Sequence, residues 1–204
     1  QVFGVGRQKT HDFLNRLKLA INKVAPKTPV TMSNWVQCDF LDDSMWDLVA
    51  LNIYIYNPES VGHAMGYRGY VDWLKRIRAP RRPLVITECG LSVSKTGVGH
   101  KGYGGNTEEE QKNGIIYMYK QALNGGVAGL CVFEFIDEWW KNFNHASDKD
   151  IHEDSDPEEW FGVCYYDDKG EVLTKRLAYD ALKDFNQAVS VMPVEYSKIT
   201  RSTP

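Results

Sequence analysis

The sequence has few of the features that mark a membrane, metal-binding or disulfide-stabilised protein. No apolar run approaches the roughly 18–20 residues that cross a bilayer, and no basic-then-apolar segment opens the chain. The four cysteines form no C-x-x-C pair, and the five histidines form no H-E-x-x-H. A net charge of -3 offers no basic surface for nucleic acid or an anionic membrane. We therefore expect no metal, no cofactor, no nucleic-acid partner and no membrane partner, while the localisation stays open.

The composition is that of a single folded unit. The chain has 204 residues, of which 43% are hydrophobic, enough for one buried core and short for two full domains. It begins at Gln1 without an initiator methionine, so we expect a processed chain or a piece of a longer one. Cys89 and Cys131 lie in or beside apolar strands, where a free cysteine behaves as a small buried hydrophobe.

Strand and helix patterns alternate along the chain. Helical periodicity covers residues 11–24, 70–77, 108–123 and 177–189, and strand candidates cover 29–35, 48–56, 84–88 and 127–136. The third helix opens with the capping box Thr107–Glu110 and stops at Gly125. Alternation predicts an α/β fold with a parallel sheet, either open or part of a (β/α) barrel of TIM type. Four strands are half of the eight that such a barrel needs. Residues 1–190 would form this unit, and 191–204 a polar tail.

The segment 82–90 carries the clearest functional signal. Its branched apolar residues predict a short buried strand that ends in Glu88 and a glycine. Alternation would put Glu88 on the same face as Leu84 and Ile86, held rigidly at the C-terminal end of the strand. That position suits a catalytic carboxylate. A structural glutamate that caps a helix or pairs with an arginine fits the segment equally well.

Polar and aromatic residues gather at the ends of the other predicted strands. They are Ser33, Asn34 and Trp35 at the first, Asn52, Tyr54 and Tyr56 at the second, and Phe133, Glu134, Asp137, Glu138, Trp139 and Trp140 at the fourth. Active sites of (β/α) barrels lie at this C-terminal rim. Aromatic faces beside carboxylates suit a sugar ring, although the tryptophans could equally cover the barrel end.

Four motifs occur in a defined order: DLVALNIY at 47–54, RPLVITECG at 82–90, the strand and acidic residue at 129–137, and a closing run with Phe161-Gly162, Asp168, Gly170 and Ala178-Tyr179. Together they resemble the C-terminal half of the retaining (β/α)8 barrel of glycoside hydrolase family 2 and its β-galactosidase-like and β-glucuronidase-like relatives. The resemblance implies a retaining β-glycoside hydrolase. Its ligand would be a β-linked carbohydrate.

The resemblance also assigns roles to individual residues. Glu88 matches the family's catalytic nucleophile, and Tyr54 would donate a hydrogen bond that orients its carboxylate. Asn52, Trp35 and Phe133 would form the sugar subsite. Glu134, Trp139 and Trp140 would stand at its rim.

One required group does not match. In this family the acid/base is a glutamate that follows an asparagine in the fourth strand, before the helix at 11–24, and this chain contains no Asn-Glu pair. Retaining chemistry needs two carboxyl groups ~5–5.5 Å apart. We therefore expect the acid/base to be missing upstream, and whether this chain is itself an enzyme stays open.

Two other functions remain as alternatives. The first is a non-catalytic carbohydrate-binding or interaction module on the same scaffold. The second, a hydrolase with a serine or cysteine nucleophile, is disfavoured because no G-x-S-x-G occurs. A half barrel would leave a strand edge exposed, so we also expect self-association or a requirement for the missing N-terminal half.

Overall fold

The computed structural model describes residues 2–38, 41–56, 66–138, 141, 153–167 and 169–190. The helices are Val2–Val5 (α1), Arg7–Val24 (α2), Gly66–Ile77 (α3), Glu108–Asn124 (α4) and Leu177–Ser190 (α5). The strands are Ser33–Trp35 (β1), Val49–Asn52 (β2), Leu84–Cys89 (β3), Gly129–Val132 (β4), Cys164–Tyr166 (β5) and Leu173–Lys175 (β6). Short 3-10 helices occupy Val36–Cys38 and Pro157–Trp160.

The first four strands form one parallel sheet in the order β1-β2-β3-β4. Helix α3 connects β2 to β3, and α4 connects β3 to β4, as expected for parallel strands joined by crossovers. The predicted α/β class with a parallel sheet is therefore confirmed. The carboxyl ends of all four strands lie at the same end of the sheet.

The core lies between this sheet and the helices α3, α4 and α5. Branched residues of the central strands, such as Leu51 and Leu84, are buried there against Leu74 of α3 and Ile115 of α4, each at most 3% exposed. Burial of such a side chain stabilises the fold by about 1.5–3 kcal/mol. This packing explains why the two central strands are almost continuously apolar.

The limits of α4 follow from its end residues. The side chain of Thr107 accepts a hydrogen bond of 3.1 Å from the Glu110 amide, and the Glu110 carboxylate accepts one of 2.8 Å from the Thr107 amide. Gly125 caps the other end. The predicted capping box is confirmed.

The structure differs from the sequence predictions in three places. Helix α2 is present, yet it has no buried residue, so its apolar stripe is not part of the described core. Cys131 is exposed rather than buried, because it faces away from the core at the edge strand β4, whereas Cys89 is buried. The hairpin of β5 and β6 was not predicted; its turn has Gly170 at φ 69° and the Gly170 amide bonded to the Asp167 carbonyl at 2.8 Å.

No helix in the described part of the chain has both the length and the apolar character to cross a membrane. The predicted polar tail, 191–204, lies outside the described residues.

Candidate active site

The ends of the four parallel strands lie side by side. Trp35 of β1 is in register with Asn52 of β2, and Asn52 is in register with Glu88 of β3. At the last strand the Phe133 amide donates to the Cys89 carbonyl at 2.9 Å. Four of the predicted site residues thereby lie side by side at the carboxyl end of the sheet.

A cleft of about 650 Å³ opens at this carboxyl end of the sheet. Its lining residues, so far as the structure describes them, are aromatic, amide or charged: Trp35, Gln37, Asn52, Tyr54, Tyr56, Glu88, Tyr103, Phe133, Lys141 and Glu158. The predicted Trp35, Asn52, Tyr54, Glu88 and Phe133 are thus brought together.

Alternation along the second strand places the tyrosines. Leu51 and Ile53 are buried in the core, while Asn52, Tyr54 and Tyr56 face the cleft. This pattern agrees with the period of two expected of an extended chain. It continues beyond Asn52, the last residue of β2.

Tyr54 and Glu88 are joined directly. The Tyr54 hydroxyl donates a hydrogen bond of 2.7 Å to Oε2 of Glu88, within the 2.6–3.2 Å expected of such a pair. Burial, and then this hydrogen bond, raise the pKa of Tyr54. The phenol therefore remains the donor at physiological pH. The predicted contact is confirmed, whereas the catalytic roles of both residues stay a prediction.

Glu88 does not share a face with Leu84 and Ile86, as alternation predicted. The next residue of β3 in the buried core after Ile86 is Cys89, because the register shifts between Leu51 and Asn52 and again between Ile86 and Cys89. This irregularity turns Glu88 out of the core and into the cleft. The carboxylate thus occupies the predicted end of the strand but the opposite side from its apolar neighbours.

The glycine after Cys89 has a steric cause. A Cβ added at Gly90 would lie 1.8 Å from the Phe133 carbonyl oxygen and 3.2 Å from Cδ1 of Phe161. Any side chain here would push apart the ends of β3 and β4. Gly90 therefore allows Glu88 and Phe133 to line the same cleft.

Asn52 is fixed by two hydroxyl groups beneath the cleft. Its Oδ1 accepts hydrogen bonds of 2.7 Å from Ser33 and of 2.7 Å from Thr87. These contacts link β1, β2 and β3 through side chains as well as backbone. They also set the orientation of the amide, since its oxygen is already engaged.

Aromatic rings form much of the cleft wall. Tyr54 and Tyr56 stack with centroids 5.0 Å apart, and Tyr103 meets the edge of Tyr56 at 5.5 Å. Phe133 packs on Phe161 at 5.3 Å. Trp35 is 46% exposed, so its indole is available to a ligand.

Glu134 lies apart from the cleft lining. It borders a separate hollow beside Phe135, Tyr179 and Lys183. Burial, and then the negative charge of Glu138, raise the pKa of Glu134 to about 9. Successive residues after β4 point to different sides, so Phe133 reaches the cleft and Glu134 does not line it. The other two predicted rim residues, Trp139 and Trp140, lie outside the described residues.

Four lining residues were not predicted: Gln37, Tyr103, Lys141 and Glu158. Tyr103 belongs to the glycine-rich loop before α4, and Glu158 to the 3-10 helix Pro157–Trp160. The Tyr103 hydroxyl donates to Oε1 of Glu158. Tyr103 and Glu158 lie outside the strands and helices that the sequence predicted, so nothing in the sequence pointed to them. The DEWWK run at 137–141 did give a signal, but it pointed to tryptophan rather than to Lys141.

The described residues contain no cluster of histidine, cysteine or acidic side chains arranged to hold a metal ion. What the cleft offers chemically is a carboxylate with an aligned hydroxyl donor, an amide and several aromatic faces.

Comparison with known proteins identifies the fold. No protein-family model matches the sequence, and no curated protein sequence matches it either. Among solved structures, the β-glucuronidase of Ruminococcus gnavus in complex with D-glucaro 1,5-lactone superposes with a TM-score of 0.61 at 16% identity, over 87% of this chain and 30% of that one. The family 2 β-galacturonidase of Eisenbergiella tayi bound to galacturonate gives 0.56 at 18% identity, over 88% of this chain and 30% of that one.

A more distant enzyme shares the same architecture. An active-site mutant of Rhizomucor miehei β-1,3-glucanosyltransferase in complex with laminaritriose gives a TM-score of 0.52 at 14% identity, over 80% of this chain and 55% of that one. The chain therefore has a fold like that of glycoside hydrolase family 2 enzymes, and it spans about 30% of the length of the two glycosidases. Identities this low show the fold alone.

Proposed function

We propose that this chain carries the nucleophile half of the active site of a retaining β-glycoside hydrolase. Glu88 would attack the anomeric carbon, and Tyr54 would hold its carboxylate in line. The observation that carries this proposal is the 2.7 Å hydrogen bond from Tyr54 to Glu88 at the carboxyl end of a parallel sheet. Barrel enzymes place catalytic residues at that end.

The scaffold supports a finer interpretation of the fold. Residues 1–190 would be about four βα units, the C-terminal half of a (β/α)8 barrel. We infer that the acid/base carboxyl group lies on polypeptide outside the described residues, as the family resemblance implies. Glycoside hydrolysis by retention would then require both parts.

Sugar binding would use the remaining groups of the cleft. Because Oδ1 of Asn52 accepts from Ser33 and Thr87, its amide N–H groups are the donors that a sugar hydroxyl can use. Trp35 and Phe133 would cover the apolar C–H faces of the ring. We propose that Trp139 and Trp140 stand at the rim of the subsite, and that Glu134, which does not line the cleft, belongs to its surroundings.

The fold alone does not determine which class of sugar the cleft would bind. Among the structures it resembles, one is bound to galacturonate and another to laminaritriose, which differ in charge. The class of sugar has to come from the residues of this chain.

The direct test is covalent labelling of Glu88. A 2,4-dinitrophenyl 2-deoxy-2-fluoro-β-glycoside transfers its sugar when the carboxylate forms an ester at the anomeric carbon and dinitrophenolate leaves with the bonding electrons. This leaving group needs no proton, so the step does not depend on the acid/base. The fluorine slows hydrolysis of the ester. We expect intact-mass and peptide analysis to find the added sugar on Glu88.

Matched variants complete the experiment. Glu88→Gln should abolish labelling, while Glu171→Gln, an exposed change outside the cleft lining, should leave it intact. Labelling at Glu134 or Glu138 would overturn the assignment. A non-catalytic carbohydrate-binding module would bind sugar without forming any ester, so a bound but unlabelled protein would favour that alternative.

A further inference from the structure

The charges around the cleft do not balance. Of the described lining residues, three are charged: Glu88, Glu158 and Lys141. Lys141 is the only cation among them, and it already faces carboxylates. Its Nζ forms an ion pair with Oε2 of Glu138 and lies 3.7 Å from Oε2 of Glu158.

The lysine is also held from a second side. Its Nζ lies 4.3 Å from the centre of the Phe133 ring, within cation–π range. Burial alone would lower the pKa of Lys141, but the hydrogen bond and charge of Glu138, with the charges of Glu134 and Glu158, raise it overall. The ammonium group is therefore charged, and the carboxylates of Glu138 and Glu158 balance its charge.

Glu158 contributes negative potential inside the cleft. Tyr103 donates to its Oε1, and burial, then this hydrogen bond, raise the pKa of Tyr103. After burial, the charge of Glu158 is the largest influence that raises the pKa of Tyr56, and Glu88 acts on the same tyrosine. Two carboxylates therefore act across one half-enclosed space.

A sugar with an acidic group would find no unpaired cation among the described lining residues. An added carboxylate would face Glu88 and Glu158, while the one described lining cation is already paired. In a half-buried site with an effective dielectric constant near 20, like charges about 7 Å apart repel strongly enough to change an equilibrium by tenfold or more. A neutral sugar incurs no such repulsion.

We propose that the cleft selects glycosides whose ring carries no acidic group and rejects uronides, with Glu158 as a specificity-determining residue. This inference rests on the proposed function, because it assumes that the sugar ring occupies the cleft at Glu88. It goes beyond it by naming the substrate class: an uncharged hexoside. The family-like fold does not predict this choice, since a galacturonate-bound enzyme shares it.

The test compares two ligands that differ only at C6. Methyl β-D-glucopyranoside and methyl β-D-glucopyranosiduronic acid are titrated into the protein by ligand-observed NMR, together with the galacto pair. At low salt and pH 7 the uronide should bind at least about tenfold more weakly than its neutral counterpart. The difference should shrink in 0.5 M NaCl, because salt screens partly exposed charges.

Two variants assign the effect to Glu158. Glu158→Gln should narrow the difference severalfold, whereas Glu171→Gln, an exposed charge change outside the cleft lining, should leave it unchanged. Uronides that bind as tightly as neutral glycosides would overturn the inference, and labelling of Glu88 would show that the proposed function survives it. If no glycoside of either pair binds and Glu88 is not labelled, the inference and the proposed function both fail.

Discussion

Tyr54 and Glu88, 34 residues apart in sequence, are joined by a hydrogen bond of 2.7 Å at the open end of the sheet. Backbone pairing explains the contact, because the Ile53 amide donates to the Glu88 carbonyl at 2.9 Å and fixes the two strands at this level. Tyr54 is 8% exposed. The rigid sheet therefore aims one oxygen of the carboxylate, and under the proposed function the other oxygen would attack the anomeric carbon.

Tyr54→Phe removes this bond while it keeps the ring that stacks on Tyr56. A hydrogen bond to a charged group contributes about 1.5–3 kcal/mol, so we expect Glu88 to be labelled by the dinitrophenyl fluoroglycoside about 10–100-fold more slowly. Stopped-flow release of dinitrophenolate measures the rate. Tyr56→Phe is the control, since Tyr56 lines the same cleft and has no hydrogen bond to Glu88 within the described residues. Equal losses in both variants would contradict an orienting role for Tyr54.

The sequence predicted the parts of this site that depend on local pattern. The sequence predicted Asn52, Tyr54 and Tyr56 at the end of one strand beside the site, and in the structure all three line the cleft. Trp35 and Glu88 were predicted to lie close together because both stand at the carboxyl ends of parallel strands. These features follow from backbone geometry, which the apolar pattern reports directly.

The parts that sequence reasoning missed depend on tertiary contacts. Strict alternation assigned Glu88 to the wrong face, because register shifts between neighbouring strands leave no mark in one strand's sequence. Lys141 and Glu158 belong to the chain between β4 and β5, and they reach the cleft only after folding. The hairpin of β5 and β6 could have been predicted, because turn residues between two β-prone segments are typical of a hairpin.

Glu134 predicts an unusual pH dependence of stability. Its folded pKa of about 9 lies above the ordinary value, so between about pH 4.5 and 9 the folded protein keeps a proton that the unfolded chain has lost. Its contribution to stability is therefore fully present at low pH and lost as pH rises through this window. Glu134→Gln should match the unchanged protein near pH 4.5 and be more stable at pH 8. After discounting for partial exposure, the gain is about 1 kcal/mol.

Urea unfolding at the two pH values measures this difference. Glu109→Gln is a control of opposite sign, since the hydrogen bond from Lys112, then that from Asn113, lower the pKa of Glu109. Glu109 therefore adds stability above its ordinary pKa, and its removal should not stabilise the protein at pH 8. A Glu134→Gln variant no more stable at pH 8 than at pH 4.5, relative to the unchanged protein, would contradict the raised pKa.

Arg176 and Asp137 form a buried pair behind the cleft. Two bonds of 2.7 and 2.6 Å join the guanidinium to the carboxylate, and the Gly162 amide donates to the same carboxylate at 2.8 Å. Arg176→Leu leaves the Asp137 charge buried without this partner, so we expect a loss of about 3–5 kcal/mol in urea unfolding. The double variant Asp137→Leu, Arg176→Leu should lose less than the sum of the single changes, because neither charge is then left behind. Additive losses would show that the pair does not act as a unit.

The apolar stripe of α2 predicts self-association of the chain when it is expressed by itself. Phe13, Leu17 and Ile21 follow each other at helical spacing and are 57%, 45% and 36% exposed. Strands β1 and β4 also form the two edges of the sheet. Exposed apolar patches and strand edges both favour pairing with another chain, most simply as a two-fold dimer. Sedimentation velocity at micromolar concentration should therefore find species larger than the 23.3 kDa chain.

Two substitutions on α2 separate the stripe from the helix as a whole. Leu17→Glu places a charge within the stripe and should shift the protein towards the monomer. Leu19→Glu places the same charge two residues on, about 200° around the helix, at a position that is 60% exposed and should change association little. If both variants and the unchanged chain sediment as compact monomers, the stripe does not drive association. If Leu17→Glu leaves the dimer intact, the strand edges rather than α2 would carry the contact.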